Sequence, residues 1–145
     1  MLLRVVEWWE IMLGCMRAGV VTVPGTTLLT AKDIAYRVAV AEASVVITDA
    51  ENVHKVNEVR DRCPSLRHVI VIEGDDPWID YEDVISAASP TFISARTLSS
   101  DPLVIYFTSG TTGNPKMVVN THASYPIGHL ATGKFWLDLM FKKIA

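Results

Sequence analysis

One stretch constrains the fold of this chain more than any other. Residues 101–122 read Asp-Pro-Leu-Val-Ile-Tyr-Phe-Thr-Ser-Gly-Thr-Thr-Gly-Asn-Pro-Lys-Met-Val-Val-Asn-Thr-His. An apolar run at 103–107 breaks into a segment dense in Gly, Ser and Thr, which closes on Pro115 and Lys116. A second apolar run follows at 117–119. The pattern predicts strand, loop, strand, with both strands buried enough to hold the loop still.

The loop's chemistry is specific. Thr108, Ser109, Thr111 and Thr112 supply hydroxyls and Lys116 supplies a cation. Gly110 and Gly113 carry no Cβ, so their N–H groups can turn towards a bound anion at little steric cost. Such a loop suits a polyphosphate. It is not a Walker-type P-loop, because Lys116 comes three residues after Gly113 and is followed by Met117 rather than Ser or Thr. On composition alone, a polar turn between two strands accounts for the same residues equally well.

At 145 residues the chain is sized for about one domain with a real core. Half its residues are hydrophobic and 20% are charged, a globular balance. A net charge of −3 offers no basic field for nucleic acid or an anionic membrane. Cys15 and Cys63 have no metal-ligand spacing and read as free thiols of a reducing compartment. No stretch reaches the ~20 apolar residues of a transmembrane helix. Glu7 and Glu10 sit among the N-terminal tryptophans, so neither a secretory signal nor a transit peptide is expected in these residues.

In chain order, residues 4–18 are apolar all round, which predicts a helix packed on more than one side and stopped at Gly19. Residues 20–23 read as a short buried strand, and Pro24-Gly25 as a turn. Thr26 and Thr27 read as turn or helix-entry hydroxyls. Thr30 with Asp33 forms a capping-box-like start to a helix running to about Glu42, with Ile34, Ala35, Val38 and Ala41 on one face. Residues 44–48 predict a strand, and Asp49 an N-cap for a polar helix over 50–62 striped by Val53, Val56 and Val59. Residues 68–72 predict another strand, 74–77 a turn, 81–88 a short helix and 89–100 a polar link. Thr121 can cap a last helix over 122–139, weakened by Gly128 and Gly133. His122 and His129 would share a face of it, but without a third ligand they make no metal site. Helices alternating with β-branched strands predict an α/β fold with a largely parallel sheet and flanking helices. Ligands collect at the carboxyl ends of such strands, where the 108–116 loop would lie.

The string from Tyr106 to Lys116 resembles, residue by residue, the phosphate-binding signature of the adenylate-forming acyl-CoA synthetases. Glu7-Trp8-Trp9, Leu13-Gly14-Cys15-Met16-Arg17-Ala18-Gly19, Pro24-Gly25-Thr26-Thr27, Asp33-Ile34-Ala35-Tyr36-Arg37 and Phe135-Trp136-Leu137-Asp138 resemble adenylation-domain segments of its medium-chain branch. The likeness covers about residues 2–139 and is lost over 140–145. It implies that 1–139 is part of a large adenylation domain, with 140–145 a divergent end. It also implies a ligase that condenses a medium-chain fatty acid with ATP to an acyl-adenylate, which coenzyme A then converts to the thioester and AMP. By position, the phosphate contacts would be Thr108, Ser109, Gly110, Thr111, Thr112, Gly113 and Lys116, with Mg2+ neutralising the departing pyrophosphate. The resemblance implies a mitochondrial matrix setting.

The family's adenine and ribose contacts, magnesium-binding acid, acyl pocket and catalytic lysine belong to segments this sequence does not match, so no catalytic or metal-ligating residue is assigned. An internal piece of a ligase is expected, with open sheet edges through which it associates. Three readings follow: a ligase, a catalytically inactive module that binds nucleotide or a full-length partner, and an inert truncation product.

Overall fold

The computed structural model describes residues 1–75, 77–109 and 113–139. Its elements run α1 (Val6–Ala18), α2 (Ala31–Val40), β1 (Val45–Asp49), α3 (Val53–Asn57), β2 (His68–Ile72), β3 (Ile79–Asp80), α4 (Tyr81–Ala87), β4 (Pro102–Thr108), β5 (Lys116–Thr121) and α5 (Ser124–Phe135). The α/β class is as expected. The chain forms two compact units, one of residues 1–10 and 25–93, the other of 11–24 with 94 onwards, so α1 contributes to both.

In the first unit, β1, β2 and β3 form a parallel sheet in that order, with Val45 opposite His68 and Asp49 opposite Ile72. The core lies between this sheet and its helices and includes Ile34, Val38, Val56, Val59, Val69 and Val71. The predicted capping box is present: the Thr30 hydroxyl accepts from Asp33 N (3.3 Å), and the Asp33 carboxylate accepts from Thr30 N (3.0 Å). Two helix N–H groups that would otherwise lack partners are thereby satisfied, and Ile34 and Val38 turn inward.

The 50–62 helix is a correction. α3 stops at Asn57 and a separate 3₁₀ turn covers Arg60–Arg62. Val53 and Val56 lie in α3 and Val59 caps the 3₁₀ turn, so the valine stripe runs on past the end of the helix. Val56 and Val59 both reach the core. Asp49 ends β1 rather than capping a helix; its Oδ1 accepts from Asn52 N (2.9 Å) and Asn52 Nδ2 (2.7 Å). Asp76 lies outside the described residues. The turn expected at Pro24-Gly25 falls instead at Thr27-Leu28, where the Thr26 hydroxyl accepts from Leu28 N (3.3 Å), as the turn reading of Thr26 expected.

In the second unit, β4 and β5 pair antiparallel. The β4–β5 pair is therefore not part of the parallel pattern, and the connection that leaves the carboxyl end of β4 is a hairpin. Residues 109–115 are too few for a parallel crossover, which needs a dozen or more. Residues 20–23 make one parallel bridge, Thr22 to Val104, and Val20 and Val21 are exposed, so the buried strand expected there is not formed. Gly19 ends α1 at φ +69°. No residue of α1 is buried; Val6, Trp9 and Leu13 are exposed, and the multi-sided packing expected from their apolarity is not supplied by the described residues.

α5 is shorter than predicted. It begins at Ser124 because Thr121 and Ser124 hold each other: the Thr121 hydroxyl accepts from Ser124 N (3.1 Å) and the Ser124 hydroxyl from Thr121 N (2.8 Å). His122 therefore precedes the helix that contains His129, and the two-turn spacing does not apply to them.

Candidate phosphate-binding hairpin

The hairpin is anchored at the base of β4. Leu103 and Val104 are buried, and Thr22 clamps the strand there. Its N–H donates to Leu103 O (3.1 Å), and its carbonyl accepts from Ile105 N (2.9 Å). β5 is exposed over most of its length, so of the two strands only β4 has the burial expected of both.

From that anchor the register carries Tyr106 opposite Val118, Phe107 opposite Met117 and Thr108 opposite Lys116. Directly opposed side chains in an antiparallel pair emerge on the same face. Thr108 and Lys116 thus stand together at the hairpin mouth, both exposed, and the Thr108 hydroxyl reaches Lys116 O at 3.5 Å. Ser109 leaves β4 exposed beside them. Gly113 adopts φ +111° with nothing within 4 Å of where a Cβ would sit, a backbone conformation open to glycine. Gly110, Thr111 and Thr112 lie outside the described residues. Of the seven predicted contacts, the structure brings Thr108 and Lys116 side by side and places Ser109 and Gly113 on the connection between them.

One pairing was not singled out from the sequence. Tyr106 lies two residues before Thr108 in β4, and so on the same face. Its hydroxyl lies 3.3 Å from that of Tyr125 in α5. The Tyr125 ring in turn packs on His129 at 4.3 Å, and His129 Nδ1 lies 3.0 Å from Tyr125 O. Burial, with the Tyr125 hydrogen bond adding to it, pushes the Tyr106 phenol up to about 12. It stays neutral at physiological pH, behind a mouth whose one charge is cationic. Strand alternation from Thr108 could have flagged Tyr106; nothing in the sequence signalled Tyr125.

The donors at this mouth suit phosphate oxygens: N–H groups, hydroxyls and an ammonium. They are a poor set for a bare divalent cation, which prefers carboxylate and carbonyl oxygen. Among the described residues, no three His, Cys, Asp or Glu side chains group closely enough to hold a metal ion. Both cysteines are free thiols, with Cys63 buried. No helix among them is long and apolar enough to cross a membrane.

The family model described as AMP-binding enzyme matches residues 1–139. Acyl-coenzyme A synthetase ACSM5, mitochondrial, of Mus musculus is 43% identical over 138 residues, which are 94% of this chain and 24% of that protein. The Homo sapiens ACSM5 enzyme, also named mitochondrial, is 41% identical over 138 residues with the same two shares. Among solved structures, an anthranilate CoA ligase, AuaEII, in complex with anthranoyl-AMP superposes with a TM-score of 0.81 at 28% identity. That match covers 93% of this chain and 25% of the ligase. The chain thus spans about a quarter of the length of the relatives it matches. With its sequence matched almost end to end, the chain belongs to the AMP-binding enzyme family.

Proposed function

We propose that this chain is the phosphate-binding part of an AMP-forming acid–thiol ligase whose substrates are ATP, coenzyme A and a medium-chain fatty acid. In this reading, 1–139 is part of the adenylation domain, working in the mitochondrial matrix. The observation that carries it is the pairing of Thr108 with Lys116 at the mouth of a hairpin anchored by Leu103, Val104 and Thr22.

The chemistry follows from charge. A carboxylate oxygen attacks the α-phosphorus of ATP, the bond to the β-phosphate oxygen breaks, and pyrophosphate leaves as the acyl-adenylate forms. The coenzyme A thiol then displaces AMP to give the thioester. The task of the hairpin is to hold the β- and γ-phosphates while negative charge builds on them. Hydroxyls of Thr108, Ser109, Thr111 and Thr112, N–H groups at Gly110 and Gly113, and the ammonium of Lys116 fit that task. Mg2+ bound to the triphosphate would supply further neutralisation of the departing pyrophosphate. The acyl-chain class rests on the resemblance to the medium-chain branch and on relatives named acyl-coenzyme A synthetases.

The test is AMP formation by the purified chain from MgATP, octanoate and coenzyme A, with ATP binding measured in parallel and Lys116→Ala beside it. Turnover lost in Lys116→Ala would mean these residues complete a ligase site. ATP binding that weakens in the variant, without turnover, supports a nucleotide-binding part of the ligase. ATP binding that is absent, or indifferent to Lys116, overturns the reading.

A further inference from the structure

Thr108 and Lys116 share their face of the hairpin with the residues behind them. On β4 that face runs Val104, Tyr106, Thr108, and on β5 their partners are Asn120, Val118 and Lys116. Burial falls along it, from buried Val104 through half-buried Tyr106 to exposed Thr108. Thr22 clamps β4 at its base, through Leu103 O and Ile105 N. Tyr106 is the next residue beyond that clamp, roughly 7 Å short of Thr108 at the rise of a strand.

The Tyr106 hydroxyl lies 3.3 Å from that of Tyr125, the second residue of α5, and both side chains are half-buried. The start of α5 is itself fixed. His122 N donates to Asp101 O (3.1 Å) and Ala123 N to Ser99 O (3.0 Å), so the entry to the helix is bonded to the segment that enters β4. The reciprocal bonds between Thr121 and Ser124 set its first turn. Tyr125 is therefore tied to the base of the hairpin, while its hydroxyl reaches β4 beyond the Thr22 clamp.

We propose that Tyr125 is a positioning residue for the phosphate-binding mouth: through Tyr106 it holds the end of β4 so that Thr108 stays opposite Lys116 before a polyphosphate arrives. This role rests on the nucleotide reading of the hairpin and adds to it a residue outside the loop. A protein whose binding-competent form is only partly populated binds with an affinity reduced by that fraction. Loosening the end of β4 lowers the fraction of molecules with the mouth in register, and ATP binding weakens although no contact to ATP is removed. The loss is bounded by the net worth of one hydrogen bond, roughly twofold to tenfold in affinity.

Titrations of the full chain with MgATP would compare the unaltered protein with Tyr125→Phe, Tyr106→Phe, the double variant, Lys116→Ala and Thr30→Ala. The two tyrosine variants remove the same bond, so each should weaken ATP binding by that same factor, and the double variant should weaken it no further. Thr30→Ala also loosens the fold, but in the other unit, and should bind ATP as the unaltered chain does. ATP binding that depends on Lys116 but is unchanged in Tyr125→Phe overturns the role of Tyr125 and leaves the nucleotide reading standing. So do single losses that add in the double variant, or a loss in Thr30→Ala as large as that in Tyr125→Phe. ATP binding that is absent, or indifferent to Lys116, overturns the nucleotide reading and the role of Tyr125 with it. If one tyrosine variant does not fold, the other decides, because it breaks the same bond.

Discussion

The phenolic oxygens of Tyr106 in β4 and Tyr125 in α5 lie 3.3 Å apart, and this bond ties the strand that presents Thr108 to the helix that follows the hairpin. Removing one hydroxyl with Tyr125→Phe should cost about 0.5–1.5 kcal/mol, the usual net worth of such a bond, read as a lower denaturation midpoint.

The same pair has an alkaline signature. A free phenol ionises near 10.0, whereas Tyr106 is pushed up to about 12 by burial and by Tyr125. Tyr81 is likewise pushed up to about 12 by burial and by its hydrogen bond to the Glu10 carboxylate (3.1 Å). Because the folded values lie above the unfolded one, the stability held by the neutral phenols is complete below pH 10 and is lost as pH climbs towards 12. Thermal midpoints should fall across that window, with phenolate absorbance rising in the same range. In Tyr125→Phe the fall should be shallower, since part of the cause is gone.

The sequence was legible where a local rule decided the outcome. The Thr30–Asp33 capping box, the strand at 68–72, the helix stop at Gly19 and the β-branched runs of β1 and β4 all follow from short-range chemistry. What failed depended on partners distant in sequence. Val20 and Val21 have strand composition, yet their segment finds a single bridge. α1 is apolar all round and still has no buried residue. The antiparallel turn of β5 was within reach, because residues 109–115 cannot make a parallel crossover. At the candidate site, the spacing of Thr108 and Lys116 was visible, but their facing each other depended on a register that only the folded pair fixes.

The Thr30 cap gives a further prediction. Thr30→Ala should cost about 1 kcal/mol through loss of the N-cap. The hydrogen bonds from Thr30 hold the Asp33 carboxyl below its ordinary 3.8. A lowered folded value means the stabilisation is present above that ordinary range and fades as pH falls through the folded value. The gap in thermal midpoint between the variant and the unaltered chain should therefore narrow in acid. A gap that stayed constant would mean the carboxylate contributes nothing.

Two glycines should respond in opposite directions to the same change. Gly19 sits at φ +69°, and a Cβ there would meet the Ala95 Cβ at 3.2 Å and the Thr97 Cγ2 at 3.3 Å. Gly19→Ala should cost roughly 1–2 kcal/mol from the left-handed backbone alone. Gly128 lies inside α5 with nothing within 4 Å of a Cβ, and Gly128→Ala should stabilise by about 0.5–1 kcal/mol. Urea midpoints at equal slope would read both.

Lys116 allows the nucleotide reading to be tested by charge rather than by shape. It enters β5 exposed, opposite Thr108, so its interaction with a phosphate is that of a solvated point charge and is open to screening. A hydrogen bond to a charged group is worth about 1.5–3 kcal/mol, which predicts that Lys116→Ala weakens ATP binding by roughly tenfold to a hundredfold. Because the hairpin is assigned the β- and γ-phosphates, AMP, which lacks both, should bind the variant and the unaltered chain alike. The ATP deficit should shrink as salt rises, since added ions screen the charge the variant has lost. Titration calorimetry with ATP and AMP at two ionic strengths separates these outcomes. An equal loss for AMP would place Lys116 at the α-phosphate or the sugar, and a salt-independent loss would mean that the substitution disturbs the hairpin rather than its charge.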